Sequence, residues 1–362
     1  MSNLQLTWSE PELLATGDLA EPLVAGGVRC HGGFDEDGRY VSPRTKFRVP
    51  ATKAWQQAHR EQFGTDVLDA PIELWPEVFP NVAQTKFLLR AGVTDPTIGA
   101  LTRIGTVEGF GGMIRNVVVD DLQQHFAESI DGTALAHLQR GLFEAHARDE
   151  AGHDEEAGHN QMWFTARDIA FEQPVTDDMT QTMLIRMGIV PADGKPLTPE
   201  QIRANAEAIR RYPDIDLALE MMVRRMVGLL FIEVSAFHTF AWAEEVLSDT
   251  DLVAGDAHAA DLVRYIRADE TPHVDYLRTA LTEMRDRTFV GESGARIAGT
   301  EVIGTLWDAA LELSLGANRD NFVRTQTAEI EHALAGRRDR DDLLEEFWAL
   351  GPNAGAGLLR ER

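Results

Sequence analysis

Residues 146–159 read HARDEAGHDEEAGH and contain the spacing Glu-x-x-His twice, first at Glu150 and His153 and again at Glu156 and His159. Residues three apart on a helix lie on the same face, so each copy would place a carboxylate beside an imidazole, as in a pair of metal ligands. The copy that faces the protein interior therefore decides how this helix packs against its neighbours.

The composition favours a soluble protein with a sizeable hydrophobic core. Of 362 residues, 44% are hydrophobic, and a formal net charge of −25 repels nucleic acid and anionic membranes from the average surface. Cys30 is the only cysteine, which excludes a disulfide within the chain and disfavours a thiolate zinc site. The N-terminus lacks the features of a signal peptide, and the most apolar run, 227–242, is interrupted by Glu233 and His238 and too short for a bilayer. We expect a cytoplasmic protein.

Helical periodicity dominates the chain from residue 95 onward. It predicts an all-α fold without a series of strands, with helices at about 95–128, 134–172, 216–248, 256–287 and 299–335. The proline-containing connection 173–215 separates two antiparallel helix pairs, as in a four-helix bundle with one long crossover. We therefore predict three parts, which are an irregular N-terminal extension packed on the bundle (1–92), the four-helix bundle (93–290) and a C-terminal helix with a tail (291–362).

The predicted second helix, 134–172, presents the first Glu-x-x-His copy to the interior. With about 100° between successive residues, His153 shares a face with most large apolar side chains of this helix. Those within about 60° of it are Leu135, Leu138, Leu142, Phe164 and Phe171. Glu150 lies about 60° from His153 and His146 about 20° from it, whereas His159 is displaced by about 120°. Glu150 and His153 are therefore the predicted buried ligands, and His159 is expected to be solvated or to support a ligand.

The third and fourth predicted helices add a lone acid and another histidine pair. Glu270 and His273 repeat the Glu-x-x-His spacing on an apolar face, and Pro272 between them should bend the helix locally. Glu233 lies among methionine and phenylalanine side chains, where a carboxylate costs several kcal/mol unless it is protonated, paired or bound to a metal. A salt bridge to one of the arginines at 224 and 225 is the alternative to a metal.

Glu108 is the predicted ligand from the first helix. Partners on antiparallel helices lie at similar distances from their shared turn, and Glu108 lies roughly 23 residues before the turn at Asp131 while His153 lies roughly 22 after it. Glu128 lies almost at this turn and fails the test. The three glycines between residues 109 and 112 would open the helix, make room for a substrate or leave the helix loosely packed.

Together these residues resemble the ferritin-like di-iron carboxylate superfamily, in which two helices each contribute a glutamate and two others each contribute Glu-x-x-His. The resemblance covers residues 95–287. It implies the ligand set Glu108, Glu150, His153, Glu233, Glu270 and His273. Glu150 and Glu270 would bridge two irons, and the four glutamates are the expected catalytic residues. Carboxylates with imidazoles suit iron or manganese, and open coordination positions let the reduced pair react with O2.

Three further histidines need separate interpretations. His146 precedes Glu150 by one turn and could reach a metal or a metal-bound carboxylate. Its spacing is similar to the additional histidine of the di-iron arylamine N-oxygenases, which carry it on the last helix. We expect His146 to support Glu150, with direct metal ligation as the alternative. His238 lies off the Glu233 face and is interpreted as structural, and Cys30-His31, in a glycine-rich loop, as incidental.

The resemblance implies an O2-dependent non-haem di-iron oxidase or oxygenase that hydroxylates, N-oxygenates or desaturates a small organic substrate. Two iron ions, with manganese as the alternative metal, would be the cofactor and O2 the co-substrate. The sequence carries no glycine-rich dinucleotide fingerprint, so electrons must come from an external donor such as a separate reductase. We expect a homodimer that binds neither nucleic acid nor membrane. The alternatives are a metal-free helical binding or scaffold protein and a ferritin-like iron-handling protein.

Overall fold

The chain folds mainly into helices, as described by a computed structural model for residues 4–174, 176–186, 190–191 and 197–351. This confirms the predicted all-α class. The helices are α1 (Glu10–Leu13), α2 (Arg48–Phe63), α3 (Val82–Arg90), α4 (Asp95–Gly111), α5 (Ala134–His137), α6 (Phe143–Ala151), α7 (His159–Phe171), α8 (Asp177–Arg186), α9 (Pro199–Ile209), α10 (Leu217–Leu247), α11 (His258–Arg285), α12 (Gly299–Leu313), α13 (Arg319–Ala333) and α14 (Arg340–Ala349).

The centre of the fold consists of α4, α10, α11 and the consecutive pair α6 and α7. α10 packs along α11, and α4 packs along α7, which also contacts α11. The buried apolar residues form two clusters along these helices. One contains α10 as far as Val234 and α11 from Tyr276 onward, and the other contains α10 from Phe240 onward and α11 as far as Ile266. A polar layer at the level of Glu233 therefore lies between two apolar regions that hold the helices together.

The predicted helix 134–172 is interrupted twice. A π-helical segment, Leu138–Leu142, separates α5 from α6. Between α6 and α7, Gly152 has a φ of 79°, and the backbones of His153 and Glu156 pair through hydrogen bonds of 3.0 and 2.9 Å. A Cβ at Gly152 would lie 2.6 Å from the Glu156 carbonyl oxygen, so this turn requires glycine. The helical phase of α6 is therefore not continued in α7.

The other long helices differ from the prediction mainly at their ends. α4 ends at Gly111 rather than near residue 128 and continues as a 3₁₀ turn, Gly112–Asn116. α10 and α11 lie within the predicted ranges, and α11 continues without a break across Pro272. The predicted helix 299–335 is divided into α12 and α13 by a π-helical segment, Ser314–Asn318, in which Gly316 leaves helical geometry.

The N-terminal region contains regular structure where an irregular extension was expected. Strands β1 (Glu21–Ala25), β2 (Val28–Phe34) and β3 (Tyr40–Val41) form an antiparallel sheet in that order. β2 reaches the turn between α6 and α7, where the Ala157 amide donates to the Arg29 carbonyl oxygen at 2.8 Å. A second sheet pairs β4 (Thr288–Val290) with β5 (Arg296–Ala298). No strand was predicted in these two places, but both sheets are small and the fold remains mainly helical.

Among the described residues, α10 has the length and apolar composition of a membrane span, and it contains an 18-residue apolar window with a mean hydropathy of 1.5. The prediction that this apolar run is too short is therefore wrong, because the helix has 31 residues. However, 56% of the apolar window is buried inside the fold, where α10 packs along α11. A helix that is apolar on most sides is also typical of the core of a soluble protein, and the fold agrees with that reading.

Candidate metal centre

Seven acidic and histidine side chains converge in the polar layer between the two apolar clusters. They come from α4, α6, α7, α10 and α11 and form two groups that share Glu150. We call the first group the Glu108 half-site; its members are Glu108, Glu150, His159 and Glu270. We call the second the Glu233 half-site; its members are His146, Glu150, Glu233 and His273. Within each group, one ligand atom per residue lies within 4.8 Å of the others, so each group could hold one metal ion.

In the Glu108 half-site, three carboxylates surround one imidazole nitrogen. His159 Nδ1 lies 3.0 Å from Glu270 Oε1, 3.3 Å from Glu150 Oε1 and 4.0 Å from Glu108 Oε2. These separations suit ligands around a common ion, because ligand atoms about 2 Å from a metal lie roughly 3 Å apart. Glu108 is the most open member, with 12% of its side chain exposed, whereas His159 and Glu270 are fully buried.

In the Glu233 half-site, two imidazoles face the carboxylates. His273 Nδ1 lies 2.7 Å from Glu270 Oε2, 3.2 Å from Glu150 Oε1 and 3.9 Å from Glu233 Oε1. His146 Nε2 lies 3.4 Å from Glu233 Oε1 and 3.7 Å from Glu150 Oε1. Glu150 and Glu270 thus each face His159 on one side and His273 on the other, which is the position that a bridging carboxylate requires.

The structure brings together five of the six predicted ligands but not His153. The five are Glu108, Glu150, Glu233, Glu270 and His273. The prediction that His153 lies on the buried face is wrong, because α6 ends at Ala151 and the turn at Gly152 directs His153 outward. Its side chain is 36% exposed and contacts Asp154 at 3.3 Å. The expectation that His159 is solvated is also wrong, since His159 begins α7 and is fully buried among the acids.

A signal for this break was present in the sequence. Gly152 and Gly158 lie six positions apart in the predicted helix, and three of the five residues between them are acidic. Each glycine costs roughly 1 kcal/mol in a helix interior relative to alanine, so two of them around a charged run indicate a turn. Gly158 caps α7, and its amide donates a hydrogen bond to the Gln161 side-chain oxygen at 2.9 Å.

Glu233 does not form the salt bridge that was the alternative to a metal. Arg224 binds Glu220 at 2.9 Å instead. Among the described residues, the ionic partners of Glu233 are His146 and His273. Its carboxylate therefore depends on the cluster itself for compensation of its charge.

The glycines of α4 allow close packing rather than an opening. A Cβ at Gly111 would lie 2.6 Å from Glu150 Cγ, and one at Gly112 would lie 2.8 Å from Ala151 Cβ. A Cβ at Gly109 would lie 3.2 Å from the Asn160 side-chain nitrogen. The expectations of loose packing or of room for a substrate are therefore wrong at these positions, since Gly111 makes room for the shared carboxylate.

The cluster passes a simple test for a metal site, because several of its inward-facing atoms lack hydrogen-bond partners. These buried atoms are His146 Nε2, Glu150 Oε1 and Oε2, His159 Nδ1 and Glu270 Oε1. A buried polar atom without a partner costs about 1–3 kcal/mol, and more when the group is charged. Two divalent cations would satisfy all of these atoms at once, so the residues present fit a pair of metal ions.

The pKa values of the acids reflect mutual repulsion in a buried space. Burial, with repulsion from neighbouring carboxylates, raises the pKa of Glu108 and of Glu233 well above the usual range. Burial and Glu270 also oppose ionisation of Glu150, but His159 and His273 overcome them and lower its pKa to about 2. The pKa of Glu270 is lowered in the same way, against burial, by His159 and His273. The cluster therefore shares protons that a bound cation would displace.

The surroundings shift the pKa values of the three histidines in different directions. Burial opposes the charged form of His273, but the carboxylate of Glu270 raises its pKa to about 10. The pKa of His159 is also raised well above the usual range, because Glu270 and Glu150 outweigh burial. Burial and the neighbouring His273 lower the pKa of His146 to about 3, so this imidazole stays neutral and available as a ligand.

Glu150 and Glu270 each follow an aspartate that contacts a histidine of the cluster. Asp149 Oδ2 accepts a hydrogen bond from His273 Nε2 at 2.9 Å, and Asp269 Oδ2 lies 3.5 Å from His159 Nε2. Such contacts orient a ligating imidazole so that its other nitrogen faces the metal. The sequence Asp-Glu at 149–150 and 269–270 was a visible signal for them. His146 Nδ1 has a comparable partner in the Tyr276 hydroxyl at 3.2 Å.

The outermost contacts come from the N-terminal region and were not predicted. Arg44 and Arg48 donate to Asp149 at 2.6 and 2.7 Å. Tyr40 and His31 lie against Asp269 at 2.8 and 3.6 Å. The interpretation of His31 as incidental is therefore wrong with respect to its position, because it is fully buried beside the cluster. No local pattern could have placed these residues, since more than a hundred positions separate each of them from its partner.

Comparisons with known proteins found no similar protein. No family model matches the chain, and searches of curated proteins and of solved structures found no significant match.

Proposed function

We propose that this chain is an O2-dependent non-haem di-iron oxidase or oxygenase with a ferritin-like four-helix bundle. Its substrate would be a small organic molecule that is hydroxylated, N-oxygenated or desaturated. The observation that carries the proposal is the pair of half-sites that share Glu150, with their unpartnered atoms directed inward. Manganese is the alternative metal, because carboxylates and imidazoles suit either ion.

Under this proposal, each residue has a role that follows from its position. Glu150 and Glu270 lie between His159 and His273 and would bridge the two ions. Glu108 would be the terminal carboxylate of one half-site. In the other, His146 would be a ligand rather than a supporting residue, because its Nε2 lacks a partner while Tyr276 satisfies its Nδ1. A reduced iron pair held there would supply the electrons that O2 needs in order to react with a closed-shell organic molecule.

The half-sites differ in how far they are open to solvent. The Glu108 side chain is 12% exposed, and residues 107–111 of α4 are half-buried around it. The Glu233 side chain is 5% exposed, and the three histidines are fully buried. A substrate would therefore approach at the Glu108 end, while the enclosed end excludes water. An external donor, such as a separate reductase, would supply electrons.

The competing functions explain the cluster less well. A metal-free scaffold would keep four glutamates in one buried layer together with unpartnered imidazole nitrogens, which is costly without cations. An iron-handling protein would use the same half-sites and remains the second candidate. The reaction with O2 separates the two, because an oxygenase couples it to the oxidation of an organic molecule.

Metal binding is tested by reconstituting the protein with Fe(II) under anaerobic conditions and measuring iron per chain. We expect two ions per chain in the unsubstituted protein, followed by O2 consumption in a single exposure to air. Glu233→Ala should lose iron and yet remain folded, because alanine suits an apolar position better than an uncompensated acid. Glu156→Ala, at a half-buried glutamate that pairs with Arg29 outside the cluster, is the matched control and should keep both ions. A reconstituted protein without iron, or full iron binding by Glu233→Ala, would contradict the proposal.

A further inference from the structure

The N-terminal sheet brings two side chains to the Glu108 half-site. Tyr40, on β3, donates a hydrogen bond from its hydroxyl to Asp269 Oδ2 at 2.8 Å. His31, on β2, is fully buried and places Nε2 3.6 Å from the same oxygen. Asp269 Oδ2 in turn lies 3.5 Å from His159 Nε2, and the other nitrogen of that ring faces the carboxylates of the half-site. Asp269 thus lies between the sheet and a ligating imidazole.

The sheet is shaped to hold the Tyr40 hydroxyl at this point. The Tyr40 ring stacks on Tyr265 of α11, with ring centroids 4.4 Å apart. Gly32 lies on the neighbouring strand, and a Cβ there would collide with the Tyr40 hydroxyl. Close approach of a tyrosine hydroxyl to backbone therefore requires glycine at position 32. Both features fix the donor in front of Asp269.

Asp269 and Asp149 differ in their partners, because Asp269 depends on Tyr40 and His31 whereas Asp149 has two arginines. Asp149 receives hydrogen bonds from Arg44 and Arg48, whose positive charges compensate its own. Among the described residues, neither an arginine nor a lysine forms an ion pair with Asp269, whose ionic contacts are His31 and His159. Without the Tyr40 hydroxyl, this buried carboxylate would lose its short neutral hydrogen bond and could turn away from His159.

We propose that Tyr40 and His31 are positioning residues of the metal centre, which hold Asp269 so that His159 Nδ1 faces the Glu108 half-site. This inference rests on the proposed function for the presence of the metals. It makes the N-terminal sheet a part of the centre rather than a cover on the bundle. It also assigns the effect to the Glu108 half-site, because His273 contacts Asp149 and His146 contacts Tyr276 instead.

A metal ion held by His31, His159 and Asp269 themselves is the competing interpretation, because these three side chains also lie within 4.8 Å of one another. Charge favours the positioning role. Four glutamates and two aspartates of the centre face two arginines, which leaves four negative charges that two divalent ions balance. A third divalent ion would leave an uncompensated positive charge in a buried site, which is costly.

The test is an anaerobic titration with Co(II), followed by visible absorption and by metal analysis after gel filtration. The absorption component that is lost in Glu108→Ala identifies the Glu108 half-site. Tyr40→Phe keeps the stacked ring and removes only the hydroxyl, and we expect it to weaken cobalt binding at that half-site by about 10–100-fold. His31→Gln should weaken the same half-site. Tyr276→Phe is the matched control, since it removes a hydroxyl from the other half-site and should change the other absorption component.

A double substitution separates positioning from a general effect on folding. If Tyr40 acts through Asp269, then Tyr40→Phe should change cobalt binding by less than about 2-fold in an Asp269→Asn background. An additive loss, an equal loss at both half-sites, or a third cobalt ion that disappears in His31→Gln would each overturn the inference. If Tyr40→Phe binds two cobalt ions with unchanged affinity, the inference is overturned and the proposed function stands. An unsubstituted protein that binds no cobalt would overturn the proposed function together with it.

Discussion

The two half-sites start from the same local motif and end in different surroundings. Each has an Asp-Glu pair on a helix, Asp149-Glu150 on α6 and Asp269-Glu270 on α11. The Glu108 half-site offers one imidazole and three carboxylates, whereas the Glu233 half-site offers two imidazoles and two carboxylates. Residues distant in sequence increase the difference, because two arginines compensate Asp149 while a tyrosine and a histidine hold Asp269. Similar motifs therefore give unequal positions once the rest of the chain is packed around them.

This inequality has a chemical consequence. A carboxylate hydrogen-bonded to an imidazole makes that imidazole a stronger electron donor to a metal. His273 has such a hydrogen bond to Asp149, whose charge two guanidinium groups reduce, whereas His159 Nε2 lies 3.5 Å from Asp269 without a hydrogen bond. The two imidazoles should therefore differ as electron donors. The Glu233 half-site compensates with a second nitrogen from His146. We therefore expect the two ions to differ in affinity and in ligand field, with the more open position at Glu108.

The largest effect on metal binding is expected at Glu150, the carboxylate that both half-sites share. Glu150→Ala should abolish binding of both ions, because Glu150 Oε1 lies within 3.7 Å of a nitrogen of all three histidines. Iron per chain after anaerobic reconstitution measures this. Glu156→Ala is the control, because that side chain pairs with Arg29 at 3.6 Å outside the cluster. Retention of one full equivalent of iron by Glu150→Ala would show that the half-sites are independent.

The next effect separates the two overlapping histidines of the 146–159 stretch. His159→Ala should remove the ion of the Glu108 half-site, since it deletes the only imidazole there. His153→Ala should leave both ions in place, because that side chain is partly exposed and turned away from the cluster. Metal analysis and the cobalt spectrum measure both. Loss of an ion from His153→Ala with full binding by His159→Ala would mean that α6 continues through Gly152 in the metal-bound protein.

The same two histidines show how far the sequence could predict this centre. Glu233, Glu270 and His273 were predictable because α10 and α11 are long, uninterrupted helices whose phase can be followed over several turns. His159 was not, because a seven-residue turn between α6 and α7 resets the phase, and a continuous helix was assumed. The fold class followed from periodicity alone. Tyr40 and its neighbours could not be predicted, since they reach the centre through tertiary packing of the N-terminal sheet.

A smaller effect on metal binding is expected from a substitution at His146, which would make the two half-sites more alike. His146→Gln removes one nitrogen from the Glu233 half-site, so that each half-site keeps a single imidazole. We expect cobalt affinity there to fall by at least about 10-fold, with the two absorption components moving closer together. Binding at the Glu108 half-site should change little. An unchanged affinity and spectrum would show that His146 supports Glu150 and does not bind the metal.

The smallest effect concerns the space that α4 leaves for the shared carboxylate. Gly111→Ala would place a Cβ 2.6 Å from Glu150 Cγ, so the side chain must shift, at a cost of about 1–3 kcal/mol in the free energy of unfolding. Gly228→Ala, on α10, meets no atom within 4 Å and should instead stabilise its helix by about 0.5–1 kcal/mol. Chemical denaturation of the metal-free variants measures both changes. Because Glu150 belongs to both half-sites, Gly111→Ala should weaken cobalt binding at each to a similar extent. A loss confined to the Glu108 half-site would mean that Glu150 serves mainly that ion, and the two positions would then be more separate than their shared carboxylate suggests.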